Sequence, residues 1–186
     1  MVLQKAHSYD TKNISFTNVK TNSNGGKSIY INLDKGKFQL QTSVMTLPFD
    51  LNVYDKGELP KYSIEISFRD MEDNYKVSGF YENMNQLDKQ IIKLAAKNSK
   101  SWFGKKKSDE SLEASYTPIV KRSKDKSGEF DGKYPPRMKL KLPFYNGKKS
   151  YEIVNFKDEV MEDMDQETAF TKGSKIQAII KCGGIW

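Results

Sequence analysis

Histidine and cysteine are almost missing from this 186-residue sequence, which has one of each, His7 and Cys182. A lone cysteine excludes an intrachain disulfide framework and fits a reducing compartment. With so few imidazoles and thiols, a zinc site of the His/Cys type cannot be assembled, and a histidine-based triad is poorly supplied. Long hydrophobic runs are absent too. No stretch approaches the roughly 20 apolar residues that span a bilayer. The opening residues Met1 to His7 lack the apolar h-region of a signal peptide, so an intracellular protein away from membranes is expected. The sequon Asn13-Ile14-Ser15 is then silent, His7 lies in a frayed terminus, and Cys182 is a buried, inert thiol.

Phosphate-loop chemistry is also excluded. Gly25-Gly26-Lys27-Ser28 ends like such a loop, but the glycine required five positions before Gly26 is Thr21. A strand-to-strand turn is the better reading. The acidic run from Asp158 to Glu167 lacks calcium-loop spacing and reads as a solvated loop or helix face. No cofactor and no catalytic residue is expected.

What the sequence does have is charge and rings. Its 31 Lys and Arg exceed its 24 Asp and Glu by seven, and 10 Tyr, 10 Phe and 2 Trp supply much of its apolar surface. The surplus is segregated. Residues 89 to 149 hold 17 basic and 6 acidic side chains, net +11, while 50 to 88 hold 4 and 9, net -5, and 150 to 167 hold 1 and 7, net -6. A positive segment favours a polyanionic partner.

The hydrophobic pattern has period two over most of the chain. Ile14 and Phe16, then Ile29, Ile31 and Leu33, then Phe38, Leu40, Thr42 and Val44, lie on alternating positions. Turn signals at Asn22 to Gly26 and Asp34-Lys35-Gly36-Lys37 separate them. Pro48 breaks the strand-like Thr46 to Tyr54 into an edge or bend. Lys61 to Arg69 alternates cleanly through Tyr62, Ile64, Ile66 and Phe68. Val77 to Tyr81 adds a short strand. The period then changes: Met84, Leu87, Ile91, Leu94, Ala95, Asn98 and Trp102 fall three or four apart, with Asp88, Lys89, Lys93, Lys97 and Lys100 off that stripe. This predicts one amphipathic helix over about residues 84 to 102, ended by Gly104. Strands resume at Tyr116 to Lys121, Arg137 to Leu142, Tyr151 to Ile153 and Lys175 to Lys181. No repeat period is visible. The expected fold is a single, mainly β domain over 1 to 186: an OB-type antiparallel β-barrel, or a sandwich, with one substantial helix.

The basic segment interleaves cations with rings. Trp102, Phe103, Lys105, Lys106 and Lys107 follow the helix. Lys121, Arg122, Lys124, Tyr134, Arg137, Lys139, Lys141, Tyr145, Lys148 and Lys149 come after it. Cations neutralise phosphates and rings stack on unpaired bases, so these fifteen are the candidate nucleic-acid-binding residues. The strand Arg137-Met-Lys139-Leu-Lys141-Leu puts three cations on one face and three apolar side chains on the other. Trp102 also lies on the helix stripe, where a core role competes with stacking.

In this setting Trp102-Phe103-Gly104-Lys105-Lys106, Tyr116-Thr117-Pro118-Ile119-Val120-Lys121, Lys124-Asp125-Lys126, Gly132-Lys133-Tyr134-Pro135-Pro136 and Met138 to Pro143 form an ordered signature, closed by Ile179 to Trp186. It resembles the OB-fold single-stranded DNA-binding proteins of large nucleocytoplasmic DNA viruses, over about residues 100 to 186. The resemblance implies sequence-tolerant binding of single-stranded DNA in replication, recombination or repair. It places the chain in the cytoplasm or nucleus of an infected cell, and carries most directly onto Trp102 to Lys107, Tyr134 to Arg137 and Trp186. RNA and replication proteins are further candidate partners, and a structural protein docking its basic face on an acidic partner is the rival reading. The family continues past Gly-Ile-Trp into another strand pair, whereas this sequence stops at Trp186. Either the chain is truncated or the barrel closes differently. The acidic stretch Asp158 to Glu167 would cover the basic groove when DNA is absent.

Overall fold

The computed structural model describes residues 3–145, 147–162 and 164–185; Trp186 lies outside them. The chain folds into two compact units. The first comprises Met1–Ser43, Met71–Ile119 and Gln177–Trp186, and the second Val44–Asp70 and Val120–Ile176. The architecture is mixed and strand-rich, with open sheets and several helices; among the described residues no sheet closes into a barrel.

The first unit is built on one long helix, α1 (Tyr75–Lys97), started by the Asn74 side chain accepting from the Lys76 N–H at 3.0 Å. Val77, Phe80, Met84, Leu87, Ile91 and Ala95 recur three or four apart and are buried. Val77 to Tyr81 is therefore helix and not the expected strand. Its β-prone residues fall on the helical stripe, and burial of that stripe outweighs their propensity. The helix also stops earlier than the expected 102. Asn98 ends it, and a short α2 (Ser99–Phe103) leads to Gly104 in the left-handed conformation, φ 77°. A third helix, α3 (Asp109–Ser115), follows, capped by Ser108.

Against this helical layer stand short strands. Ile14–Phe16 pairs with Ile31–Leu33, which turns through Asp34 and Lys35 (φ 49° and 62°) into Gly36–Lys37. Two successive left-handed residues are the type I′ geometry that matches strand twist. Ile29, Ile31, Leu33, Phe38 and Leu40 are buried as their alternation predicts, and Tyr9 meets Phe38 edge-on at 5.5 Å. Gln4–Lys5 and Ile179–Lys181 flank Gln39–Gln41 in a three-stranded sheet. The N-terminal segment is not frayed at His7. Its ring lies edge-on to Tyr75 and its carbonyl faces Gly79, where an added Cβ would sit 2.9 Å away. That crossing explains a glycine inside a helix.

The second unit is an antiparallel sheet ordered Val120–Lys121, Arg137–Leu142, Lys61–Ser67, Met45–Thr46, Lys175–Ile176, with Asn52–Tyr54 also paired to Lys61–Ser67. Tyr62, Ile64 and Ile66 stand opposite Leu142, Leu140 and Met138. Ile64, Ile66, Phe68, Met45, Leu47, Val120, Met138 and Phe170 form this unit's core. A chain of rings, Tyr62–Phe144–Tyr151–Phe170, continues it at centroid spacings of 4.5, 6.0 and 6.4 Å.

Three further expectations change. Tyr116 to Ile119 is not strand; only Val120–Lys121 pairs. Lys175 to Lys181 is two strands in different units, Lys175–Ile176 and Ile179–Lys181. Tyr151 to Ile153 makes no strand; only Val154 bridges, to Val160. A short motif also repeats, although no period is visible in the sequence. Asp125 donates its N–H to Glu129 O and accepts, through its carboxylate, from the N–H groups of Ser127 and Glu129. Asn155 likewise donates its N–H to Glu159 O and accepts, through its side-chain amide oxygen, from the N–H groups of Lys157 and Glu159. The two loops share this side-chain-to-backbone closure, with Gly128 and Asp158 at the left-handed position. A last short helix, α4 (Gln166–Ala169), begins at the end of the acidic stretch and is capped by Asp165.

Candidate nucleic-acid interface

The fifteen candidate residues divide between the units: Trp102, Phe103, Lys105, Lys106 and Lys107 in the first, the other ten in the second.

In the second unit the long strand pair places charge as its alternation predicts. Arg137, Lys139 and Lys141 stand opposite Ser67, Glu65 and Ser63, on the face away from Met138 and Ile64. This face lines a cleft of about 400 Å³ whose walls include Phe49, Asp50, Asn52, Glu65, Arg137 and Lys139. It is not a bare positive stripe. Arg137 Nε lies 2.6 Å from Glu65 Oε2, and neither atom has a directed hydrogen bond, so the two meet as an ion pair. The Arg137 guanidinium also lies 5.7 Å from the Phe49 ring centre. Such a part-exposed pair is worth about 0–1 kcal/mol. Its larger effect is to neutralise one of the three cations. Lys139 and Lys141 form no ion pair among the described residues.

Beside this strand, the first closed loop gathers cations around a ring. Arg122 and Lys124 lie 5.3 and 5.2 Å from the Phe130 centroid, and Phe130 is 61% exposed. Lys133 covers Tyr134 at 5.4 Å, leaving that ring 58% exposed. The Tyr134 N–H donates to Ser123 Oγ, and the Ser123 hydroxyl donates to Asp131, holding the Asp131 carboxyl below the usual range. Asp125 is likewise held low, by the Ser127 hydroxyl first and then by backbone N–H groups. Lys121 is exposed and pairs in register with Arg137. In the hairpin Phe144–Tyr145 to Lys148–Lys149, Tyr145 faces Lys148 and is 74% exposed, and Lys149 Nζ donates to Met164 O at 3.3 Å.

In the first unit, Trp102 is half-buried and edge-on to Phe103 at 6.2 Å. Phe103 is more open, with Lys107 Nζ 4.6 Å from its centre. Lys105 and Lys106 are exposed. Lys27, at the end of the Gly25-Gly26 turn, donates to Ser101 O and Trp102 O at 3.1 and 3.0 Å, closing the end of α2. The lysine run stops at Asp109 and Glu110, which begin α3; the Glu110 carboxyl is held low by its own backbone N–H and by Ser108.

One helix residue expected on the solvated side is not there. Asp88 is buried and accepts from the Tyr116 hydroxyl at 2.6 Å and from the Ile119 N–H at 3.1 Å. It ties the segment after α3 to α1. Burial, then this hydrogen bond, push the Tyr116 hydroxyl well above its ordinary range. Cys182 is half-buried next to Ile179–Lys181, and burial raises its thiol. Asp158 to Glu167 makes no ion pair with the basic strand among the described residues.

Two groups in these clusters, Glu65 and Phe49, escape the sequence reading. Glu65 needs the strand register to be placed against Lys139 and Arg137. Phe49 needs the cleft. Phe130, one of the rings interleaved with the basic segment, is brought back to Lys124 by the Asp-x-Ser-Gly-Glu turn. No helix among the described residues is long and apolar enough to cross a membrane.

Residues 64–132, from the central strand to the end of the first closed loop, match the model of a family of unknown function (DUF5871). No curated protein and no solved structure matches the chain.

Proposed function

We propose that the chain binds single-stranded DNA without reading its sequence, through the charged face of the second unit. The observation that carries this is the alignment of Arg137, Lys139 and Lys141 on one face of a strand, in a unit that also holds Phe130 and Tyr134 open beneath cations. Lysines and arginines exchange condensed counterions for phosphates, which supplies sequence-independent affinity. Exposed rings accept bases by stacking, worth about 1–3 kcal/mol per base. Nothing in this chemistry selects a base edge, so the binding is sequence-tolerant. The Glu65 carboxylate holds Arg137 in place until a phosphate competes for it.

The reading extends to the fold. We take the open antiparallel sheet of the second unit as the counterpart of an OB-type sheet, on the strength of its strand polarity and its charged face. The setting implied by the resemblance, replication, recombination or repair of viral DNA, belongs to the same proposal. Titrating labelled oligo-dT, oligo-U and duplex DNA at two salt concentrations tests it. Tighter binding of oligo-dT than of duplex, with a log–log salt slope near -3 to -4 for about four to six phosphates, is expected. Preference for oligo-U would favour RNA. No binding to any of the three would favour a protein partner instead.

A further inference from the structure

The first unit carries a shallow groove of about 330 Å³ where the turn Thr11–Asn13 and the strand Ile14–Phe16 lie against α1. Its floor is apolar, from Ile14, Phe16 and Leu94, and its rim carries Lys12, Lys93 and Lys97. No carboxylate lines it, and none of the three lysines has an ion-pair partner among the described residues. The walls are fixed to one another. Thr11 Oγ1 donates to Gln86 Oε1 at 3.1 Å, Gln90 Nε2 donates to Thr11 O at 3.3 Å, and Asp10 accepts from the Lys12 N–H at 2.9 Å.

Lys93 and Lys97 are one helical turn apart, so like charges face each other where an isolated helix would favour a Glu–Lys pair. A third ammonium across the groove adds to that repulsion. An anion removes it, and the apolar floor beside it suits a planar group that a simple ion lacks. A nucleotide has both parts, since a base stacks on a ring while its phosphates meet ammonium groups.

We infer that this groove takes one nucleotide of a single strand, its base over Phe16 and Ile14 and its flanking phosphates among Lys12, Lys93 and Lys97. The inference rests on the single-strand reading but uses none of the residues that reading names. It makes the first unit a second point of contact along the nucleic acid.

Photocross-linking of the whole chain to 5-iodouracil-substituted oligo-dT, with the adducts mapped by mass spectrometry, tests it beside anisotropy titrations. An adduct on the peptide carrying Phe16 is expected. Lys93→Gln/Lys97→Gln removes two phosphate-binding charges. It should abolish that adduct, flatten the salt slope by about 1.4 and weaken binding about tenfold at ~0.1 M salt. Both lysines are exposed, so the fold is expected to survive, and a thermal melt checks this. Adducts confined to residues 121 to 145, with the double variant binding like wild type, would overturn the groove and leave the proposed function standing. Adducts in the groove alone would keep it and remove the assignment of the second unit's face. Absence of oligo-dT binding would overturn both.

Discussion

Asp88 and Glu65 are carboxylates in regular elements, and each does something its local sequence hides. Asp88 sits among lysines on a helix whose stripe excludes it, yet it is buried because Tyr116 and Ile119 bring it three donor contacts. A buried carboxylate is tolerable only when hydrogen-bonded in this way. Tyr116→Phe removes the shortest of these bonds and should cost about 1–3 kcal/mol in urea unfolding. The pH dependence has a definite sign. The Tyr116 hydroxyl is raised in the folded state, mainly by burial, so its contribution is complete below the ordinary tyrosine range and is lost as pH rises above about 10. Tyr9, raised by burial, acts in the same direction. Stability should fall on the alkaline side, less steeply in Tyr116→Phe; equal slopes in the two proteins would contradict this account of Asp88. Glu65 has the opposite character, a part-exposed partner of Arg137. Glu65→Gln frees that cation and should tighten oligo-dT binding several-fold at low salt, an effect that fades as salt screens it. Weaker binding in that variant would mean the pair orients Arg137 more than it occupies it.

At the scale of elements, legibility followed the source of each element's stability. The strands Ile31–Leu33 and Lys61–Ser67 were readable because one residue in two is apolar and their neighbours in sequence supply the turns. The start of α1 was not. Val77, Phe80 and Tyr81 favour strands, and Gly79 disfavours a helix, so only the tertiary burial of Val77 and Phe80 makes this segment helical. Gly79 gives a direct test. In an ordinary helix, glycine to alanine stabilises by about 1 kcal/mol. Here the new Cβ meets the His7 backbone carbonyl at 2.9 Å, so Gly79→Ala should lower the melting temperature instead. A higher melting temperature would show that the N-terminal segment does not cross there. The two closed loops at Asp125 and Asn155 escaped for another reason. Their cohesion comes from one side chain bonding two backbone N–H groups, which leaves no hydrophobic period to detect. Lys175 to Lys181 read as one strand because alternation continues across residues 177 and 178, where the Ala178 N–H turns to Thr42 Oγ1.

For the whole molecule, charge segregation along the sequence carries over as clusters within each unit, whereas opposed acids were invisible without strand register. The candidate site was therefore legible as a set of cations and rings and illegible as an electrostatic arrangement. Arg137 is half-engaged by Glu65, while Lys139, Lys141, Tyr134 and Phe130 remain available. Stacking and phosphate contact separate in a single assay. Tyr134→Ala should leave the salt slope nearly unchanged and cost about 1–3 kcal/mol of binding. The most direct test is the salt dependence of oligo-dT binding by Lys139→Ala/Lys141→Ala, which leaves the Glu65–Arg137 pair intact. With about -0.7 per phosphate, the log–log slope should become shallower by about 1.4 while affinity falls alike for every single-stranded sequence. Wild-type affinity and wild-type slope in a folded double variant would contradict the claim that this face holds the strand.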